Sequence, residues 1–267
     1  MNIFKTIYYL FIKYFFYVCR QKIYNNKKKV GSNHKIIKNL DKYGYYVIKN
    51  YLNSKNCEFI KKKIRLFVKE NPKHIIIDKE KSDFRIYGAE LINSKIKNYF
   101  VSKYIKSIGE EYSENKLINI MTMANITKFI NRNKGSGNGW HRDGLNFQYK
   151  SILYLSDVDL NNGPFQIIEN SKDRNEIFKF SIRNNISPSN TRFSDKFIQD
   201  RINNKKLKLK TIVGKKGTLI LVDTSIIHRG SPLKSGKRYA LTNYYYPKNL
   251  KKIYKNQFPK RLKKNFI

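Results

Sequence analysis

The first regular pattern of hydrophobic and polar positions is helical and covers residues 54–69. Apolar side chains recur there every three or four residues, which places them on one face of a helix. Ser54 precedes the pattern as the predicted N-cap, and Pro72 follows it as a stop signal. We therefore predict an amphipathic helix whose inward face consists of Cys57, Ile60, Ile64, Phe67 and Val68.

From residue 118 onward the pattern changes to short runs rich in β-branched and aromatic residues, separated by turn signals such as Asn162-Gly163. A leading helix followed by many short strands predicts a mainly β fold with flanking α-helices, a jelly-roll core backed by helices. A chain of 267 residues suffices for one such domain. The predicted strands are residues 118–130, 151–155, 165–168, 207–213, 218–222 and 239–246.

Residues 170–206 interrupt the strands with a polar, weakly patterned stretch. Long loops inside a domain are often functional, which favours an insertion that covers the mouth of a site. A solvated loop without such a role is the alternative, and both interpretations remain open at this stage.

Two of the four histidines, His141 and His228, form an H-x-D … H arrangement with Asp143. Two imidazoles and one carboxylate are the ligand set of a mononuclear non-haem Fe(II) site, which leaves three metal positions open. His141 and Asp143 are one residue apart, so on an extended strand both point to the same side. An isolated H-x-D triplet or a lone histidine carries little information, and the prediction depends on their combination.

Arg238 follows His228 by ten residues and opens the extended segment 239–246, which we expect to pair beside His228. An oxygenase that uses 2-oxoglutarate needs a fixed cation for the far carboxylate of that co-substrate. A buried arginine supplies it, because its planar guanidinium binds a carboxylate through two parallel hydrogen bonds. Arg238 is therefore the candidate for binding 2-oxoglutarate.

Several of these segments resemble the phytanoyl-CoA dioxygenase family. The similarity is carried by Trp140-His141-Arg142-Asp143-Gly144, by the stretch 153–165, and by the run from Gly217 through His228 to Arg238. With the opening segment 44–48 it extends over about residues 36–247. The resemblance implies a double-stranded β-helix (a cupin-like jelly roll) that hydroxylates a C–H bond, with Fe(II) as cofactor and 2-oxoglutarate and O2 as co-substrates. On this match His141, Asp143 and His228 bind iron and Arg238 binds 2-oxoglutarate.

Two positions qualify the resemblance. Members of the family that halogenate lack the carboxylate ligand, so the presence of Asp143 favours hydroxylation. Many members have a serine two residues after the distal histidine that helps to hold 2-oxoglutarate. In this chain that position is Gly230 and a serine follows at Ser231, so the resemblance gives Ser231 no defined role.

Three classes of function remain open. The first is a 2-oxoglutarate-dependent hydroxylase acting on a small-molecule, lipid-linked or glycan-linked substrate. The second is a nucleic-acid oxygenase, but demethylases of that kind commonly have a second arginine six residues after the first, and Tyr244 occupies that position. The third is a non-catalytic barrel acting as a binding module, against which the three intact ligand positions count. Trp140 and Tyr154 are the candidates for lining a substrate pocket.

Charge is unevenly distributed along the chain. Fifty-six Lys and Arg residues against 19 Asp and Glu give a formal net charge of +37. No acidic residue precedes Asp41 and none follows Asp223. A lysine-rich composition explains abundant lysine but not the acid-free ends. The ends therefore favour a partner with many negative charges, either an anionic membrane surface or, less favoured, nucleic acid.

The N-terminal pattern favours the membrane surface. On a helical wheel Lys5, Lys13 and Arg20 share a narrow polar sector, and apolar and aromatic residues fill the opposite side. Such a helix suits a membrane interface, and packing on the domain is the alternative. We predict a basic amphipathic helix at residues 1–30, the dioxygenase domain at 31–247 and a basic tail at 248–267.

The cysteines Cys19 and Cys57 have neither metal-binding nor redox spacing. Lone thiols suit a reducing compartment, which also keeps iron in the ferrous state. We therefore expect a cytoplasmic protein, peripheral on the inner face of the membrane.

Overall fold

The computed structural model describes residues 33–144, 148–172, 174–187 and 190–248. Its helices are α1 (His34–Tyr43), α2 (Ser54–Glu70), α3 (Ser94–Phe100), α4 (Lys103–Ser113), α5 (Arg174–Asn184) and α6 (Asp195–Asn203). Its strands are β1 (Tyr45–Ile48), β2 (Ile76–Ile77), β3 (Asp83–Tyr87), β4 (Leu117–Lys128), β5 (Tyr149–Tyr154), β6 (Phe165–Ile168), β7 (Leu209–Ile212), β8 (Leu219–Asp223), β9 (His228–Gly230) and β10 (Lys237–Pro247).

The strands form two antiparallel sheets. The larger sheet has the order β1-β8-β5-β10-β4-β3-β2, and the smaller sheet has the order β7-β6-β9. An apolar layer joins them, in which Tyr154, Ile220 and Val222 of the larger sheet pack with Phe165 and Ile167 of the smaller one. Two facing antiparallel sheets with helices against the larger one confirm the predicted mainly β fold, a double-stranded β-helix backed by helices.

Strand β8 shows why the larger sheet is buried on both faces. Successive side chains of a strand point to opposite faces. Ile220 and Val222 therefore point toward the smaller sheet, whereas Leu219 and Leu221 pack in the cluster that contains the inward residues of α1 to α4. All five residues of β8 are buried, and the first four, Leu219 to Val222, are a continuous apolar run rather than an alternating one.

Helix α2 agrees with the predicted amphipathic helix except at its start. Cys57, Ile60 and Ile64 are buried against the larger sheet as predicted. The N-cap is Asn53 rather than Ser54, since the Asn53 side chain accepts a hydrogen bond from the Asn56 backbone N–H at 2.8 Å. The prediction missed by one residue because asparagine and serine are equally good caps.

All six predicted strands are present, with ends shifted by at most two residues. The sequence pattern did not reveal α1, β3, α3 or α4. Residues 170–206 are not a featureless loop, because they contain α5 and α6. Ile198 of α6 is fully buried, so this segment packs on the domain.

The predicted N-terminal helix and basic tail lie outside the described residues, apart from Lys248, and the bounds of the three predicted segments stay predictions. Among the described residues, no helix combines the length and hydropathy needed to cross a bilayer.

Candidate active site

A cavity of about 270 Å³ lies between the two sheets. Alternate residues of β4, β5 and β10 form one wall, since alternate residues of a strand face the same side. The cavity is lined by His141, Asp143, His228 and Arg238. The structure therefore brings all four predicted site residues to one place.

His141 and His228 face each other across a short antiparallel bridge. Each backbone N–H donates to the other residue's carbonyl oxygen, at 2.9 Å from His141 and 2.7 Å from His228. Directly paired residues project their side chains to the same face, and the two imidazole centroids are 4.3 Å apart. The backbone pairing thus places both rings at the cavity.

Two predictions about the backbone at these residues were wrong. His141 and Asp143 do not lie on a regular strand: His141 makes isolated bridges to Arg192 and His228, and Asp143 lies in a bend. Arg238 does not pair beside His228, because β10 pairs with β4 and β5 whereas β9 pairs with β6. Arg238 reaches the same cavity from the opposite sheet.

Both histidines present Nε2 to the cluster. His141 Nδ1 lies 2.9 Å from the Gly139 carbonyl oxygen, and His228 Nδ1 lies 2.8 Å from that of Ile226. A carbonyl oxygen only accepts, so Nδ1 carries the proton and Nε2 keeps a free lone pair. A hydrogen bond of this kind fixes ring orientation and tautomer in metal-binding histidines.

The Asp143 carboxylate completes the cluster. Its Oδ1 lies 3.8 Å from His141 Nε2, and its Oδ2 accepts a hydrogen bond from Lys150 Nζ at 2.6 Å. Burial favours the protonated acid, but the ammonium group of Lys150 holds the pKa of Asp143 well below its usual range. The carboxylate is therefore ionised, with one oxygen bound by Lys150.

The same burial keeps the imidazoles neutral. Burial, followed by the charge of His228, lowers the pKa of His141 to about 3. Burial also lowers the pKa of His228, although Asp143 opposes the shift. Neutral imidazoles and an ionised carboxylate are the protonation states that bind a divalent metal.

We predict that metal binding releases few protons. His141 is already unprotonated well above its pKa of about 3, so at neutral pH an incoming ion displaces no proton from it. Calorimetric titration of Mn(II) in two buffers of different ionisation enthalpy should give equal heats. Release of about one proton or more per ion would show that the apo site holds an imidazolium and would contradict the prediction.

Arg238 lies on β10 and is only 4% exposed. Its Nη1 donates to the Gly163 carbonyl oxygen, and its Nη2 lies 3.3 Å from Thr127 Oγ1. Among the described residues, its buried Nε has no hydrogen-bond partner. A buried cation with an unsatisfied donor at a cavity wall fits the far carboxylate of 2-oxoglutarate.

A buried polar network holds Arg238 in place. Asn125 Nδ2 donates to Asp83, and Asn125 Oδ1 accepts from Thr127 Oγ1 at 2.9 Å and faces Arg238 Nη2 at 3.5 Å. Asp83 also accepts from Arg85 Nε at 2.9 Å. These hydrogen bonds restrict the orientation of the guanidinium, which is therefore positioned before a ligand binds.

Two glycines make room for these side chains. A Cβ at Gly230 would approach the Arg238 Nη2 atom to 3.0 Å and the Ser136 Cβ atom to 2.8 Å. A Cβ at Gly137, where φ is +89°, would approach His141 Cε1 to 2.3 Å. Gly230 is thus required because the guanidinium of Arg238 lies so close. This explains why the chain has glycine, not serine, two residues after His228.

The remaining sequence candidates have different positions. Tyr154 lines the cavity, and its hydroxyl donates to the Ile212 carbonyl oxygen at 3.0 Å. Trp140 is instead buried with Ile168, Ile198 and Ile227 and does not line the cavity. Ser231 Oγ lies 3.2 Å from the carbonyl oxygen of the next residue and takes no part in the cavity lining.

Three cationic residues of the lining were not identified from the sequence: Arg85, Lys150 and Arg192. Lys150 immediately precedes a predicted strand, and its alternation with Ile152 and Tyr154 is the signal that was available. Arg85 belongs to the unrecognised β3. Arg192 lies in the segment between α5 and α6, where no local pattern indicates its contacts.

The cluster fits a ferrous ion. One ligand atom from each of His141, Asp143 and His228 lies within 4.8 Å of the others. Two nitrogens and one oxygen next to a cavity leave room for further ligands, as a facial triad requires. The donor set, the protonation states and the nearby Arg238 all agree with iron and 2-oxoglutarate.

The comparisons with known proteins agree with this chemistry. The family model described as Phytanoyl-CoA dioxygenase (PhyH) matches residues 40–240. No curated protein matches the chain. Solved structures with similar folds include the non-heme alpha ketoglutarate dependent epimerase SnoN from nogalamycin biosynthesis, with 12% identity, 80% of this chain and 81% of that chain covered, and a TM-score of 0.58.

Two further solved structures have the same fold. HygX from Streptomyces hygroscopicus, with nickel and 2-oxoglutarate bound, has 11% identity, 82% and 88% coverage and a TM-score of 0.57. EctD from S. alaskensis, with bound Fe, has 13% identity, 83% and 78% coverage and a TM-score of 0.57. Since the family model covers most of the sequence, the chain belongs to the phytanoyl-CoA dioxygenase family of iron- and 2-oxoglutarate-dependent oxygenases.

Proposed function

We propose that the chain is a 2-oxoglutarate-dependent hydroxylase of a small-molecule, lipid-linked or glycan-linked substrate. His141, Asp143 and His228 would hold the ferrous ion, and Arg238 would bind the far carboxylate of 2-oxoglutarate. When bound, iron and 2-oxoglutarate would activate dioxygen for oxidation of the substrate, with succinate and CO2 as co-products.

The observation that carries this proposal is the approach of all three ligand atoms within 4.8 Å of one another in a cavity that Arg238 also lines. Asp143 favours hydroxylation over halogenation, because its Oδ1 faces the histidines while Lys150 binds Oδ2. Lys150 thereby orients the carboxylate. Asn125 and Thr127 orient Arg238 in the same way.

Labelled dioxygen tests hydroxylation directly. The protein with Fe(II) and 2-oxoglutarate would be supplied with a panel of candidate substrates under ¹⁸O2, and products would be read by mass spectrometry. We expect one ¹⁸O atom in succinate and one in the product. Substrate oxidation without ¹⁸O in the product would contradict hydroxylation and favour a rearrangement or desaturation instead.

The nucleic-acid alternative rests on the net charge of +37. The position of a second arginine is occupied by Tyr244, whose ring lies 4.2 Å from Lys150 Nζ in the cavity wall. The tyrosine in place of this arginine favours a substrate other than nucleic acid.

We further propose that residues 1–30 attach the protein to an anionic membrane surface. The protein should sediment with vesicles that contain phosphatidylserine and much less with neutral vesicles. Binding should weaken with salt, since each basic residue near the surface contributes about 1 kcal/mol and is screened. Deletion of residues 1–29 should abolish sedimentation and leave iron binding intact, and sedimentation independent of lipid charge would contradict the proposal.

A further inference from the structure

The cavity has more cationic side chains than iron and 2-oxoglutarate require. In addition to Arg238, the described residues that line it include Arg85, Lys150 and Arg192. The lining thus includes three of the chain's 12 arginines but only one of its 44 lysines. The lysine-rich composition therefore does not explain these cations.

A charge balance shows which cations remain uncompensated. A ferrous ion together with Arg238 balances the Asp143 carboxylate and the two carboxylates of 2-oxoglutarate. Arg85 is balanced by the buried Asp83, to which its Nε donates at 2.9 Å. Lys150 and Arg192 have no remaining counter-charge among the described residues that line the cavity.

Arg192 lies at the rim of the cavity beside the metal cluster. Its backbone bridges to His141, and its guanidinium Nη1 donates to the carbonyl oxygens of Gly137 and Asn138. Its side chain is exposed, so it has access to solvent and to an incoming molecule. These carbonyl contacts orient the cation and leave its charge uncompensated.

Lys150 lies deeper in the same cavity and is 8% exposed. Its Nζ binds Asp143 Oδ2 and lies 4.2 Å from the centroid of the Tyr244 ring. An ammonium group has three donors, so contact with one carboxylate oxygen does not exhaust its hydrogen bonding. Lys150 and Arg192 line the same cavity, so both can contact one bound molecule.

We propose that the substrate carries an anionic oxygen group, a phosphate or a carboxylate, which binds between Arg192 at the rim and Lys150 in the wall. This inference rests on the proposed function. A fixed cationic cavity with low-dielectric walls concentrates anions and steers them to the metal. Arg192 is a specificity-determining residue in this assignment.

Paramagnetic relaxation tests the assignment without turnover. Mn(II) would replace iron, with saturating 2-oxoglutarate, and bound metal would be counted by electron paramagnetic resonance. Relaxation of the ³¹P nucleus of inorganic phosphate would be compared with that of neutral trimethyl phosphate. Because the effect falls steeply with distance, phosphate bound far from the metal contributes little. We expect a several-fold larger enhancement for phosphate.

Variants of Arg192 identify the binding cation. Arg192→Gln should reduce the phosphate enhancement by about threefold or more, because a charge-assisted hydrogen bond is lost. Arg192→Lys should keep most of the phosphate enhancement, because the positive charge remains. If Arg192 served only to hold Gly137 and Asn138 in place, the lysine variant would lose the enhancement as the glutamine variant does. Arg65→Gln, at an exposed position on α2, is the matched control and should have no effect.

The outcomes separate the two proposals. Failure of the parent protein to bind Mn(II) or 2-oxoglutarate would overturn the proposed function and the inference with it. Intact binding with equal enhancement for phosphate and trimethyl phosphate would overturn the anionic substrate alone. The anionic substrate would also be overturned if Arg192→Gln kept the full phosphate enhancement, or if Arg192→Gln and Arg65→Gln lost it equally. Acetate labelled with ¹³C at its carboxylate, measured in parallel, identifies which anionic group the site prefers.

Discussion

Replacement of His141 or Asp143 by alanine should abolish stable Fe(II) binding. Each residue supplies one of only three protein ligands, and the two that remain would hold a labile ferrous ion poorly. Loss of an outer-shell partner alone typically costs 10–100-fold in metal affinity, so loss of a ligand should cost more than about 100-fold. The measurement is anaerobic Fe(II) titration of each variant, with circular dichroism as a check of folding.

The chain offers matched controls for this experiment. His74→Ala and Asp157→Ala remove the same groups outside the cavity and should bind iron like the parent. Asp143→Glu should be impaired less than Asp143→Ala, because a carboxylate remains although its geometry changes. Parental iron affinity in either alanine variant of the predicted ligands would show that the ligand assignment is wrong.

Replacement of Arg238 by alanine should raise the 2-oxoglutarate requirement strongly and change iron affinity little. Loss of a buried charge-assisted contact should cost on the order of 2–4 kcal/mol. This corresponds to a requirement roughly 30-fold or more above that of the parent. Succinate formation as a function of 2-oxoglutarate concentration measures the effect, and iron titration shows whether the metal site is intact.

Arg238→Lys should raise the 2-oxoglutarate requirement less than Arg238→Ala does. The requirement should stay above that of the parent, because an ammonium group cannot reproduce the planar guanidinium fork. Arg65→Ala, on the exposed surface of α2, should behave like the parent. Unchanged succinate formation at low 2-oxoglutarate in Arg238→Ala would move the role to another cation of the cavity, with Arg85 the next candidate.

The sequence predicted those parts of the fold whose side chains have a simple periodic pattern. Strand β10 and helix α2 have apolar positions at the period of their structure, and both were located within two residues at each end. Strand β3 was missed because its buried positions include the polar Asp83, whose carboxylate accepts a hydrogen bond in the network around Arg238. Tertiary hydrogen bonding there overrides the local pattern.

The site was predictable to the extent that it depends on spacing. His141, Asp143, His228 and Arg238 occur in the order and at the offsets of the family, and the structure brings them to one cavity. The arrangement of the backbone was not predictable, since His141 is held by single bridges to distant residues rather than by a strand. The contacts of Arg192 with Gly137, Asn138 and His141 join residues more than 50 positions apart, for which the sequence has no local signal.

The most direct test of the iron and 2-oxoglutarate site is anaerobic absorption spectroscopy of the full chain. Addition of both Fe(II) and 2-oxoglutarate should produce the visible metal-to-ligand charge-transfer band of the chelate. We expect this band to require both components, to be lost in His141→Ala, and to need far more 2-oxoglutarate in Arg238→Ala. Absence of the band in the folded parent protein with both components present would contradict the assignment.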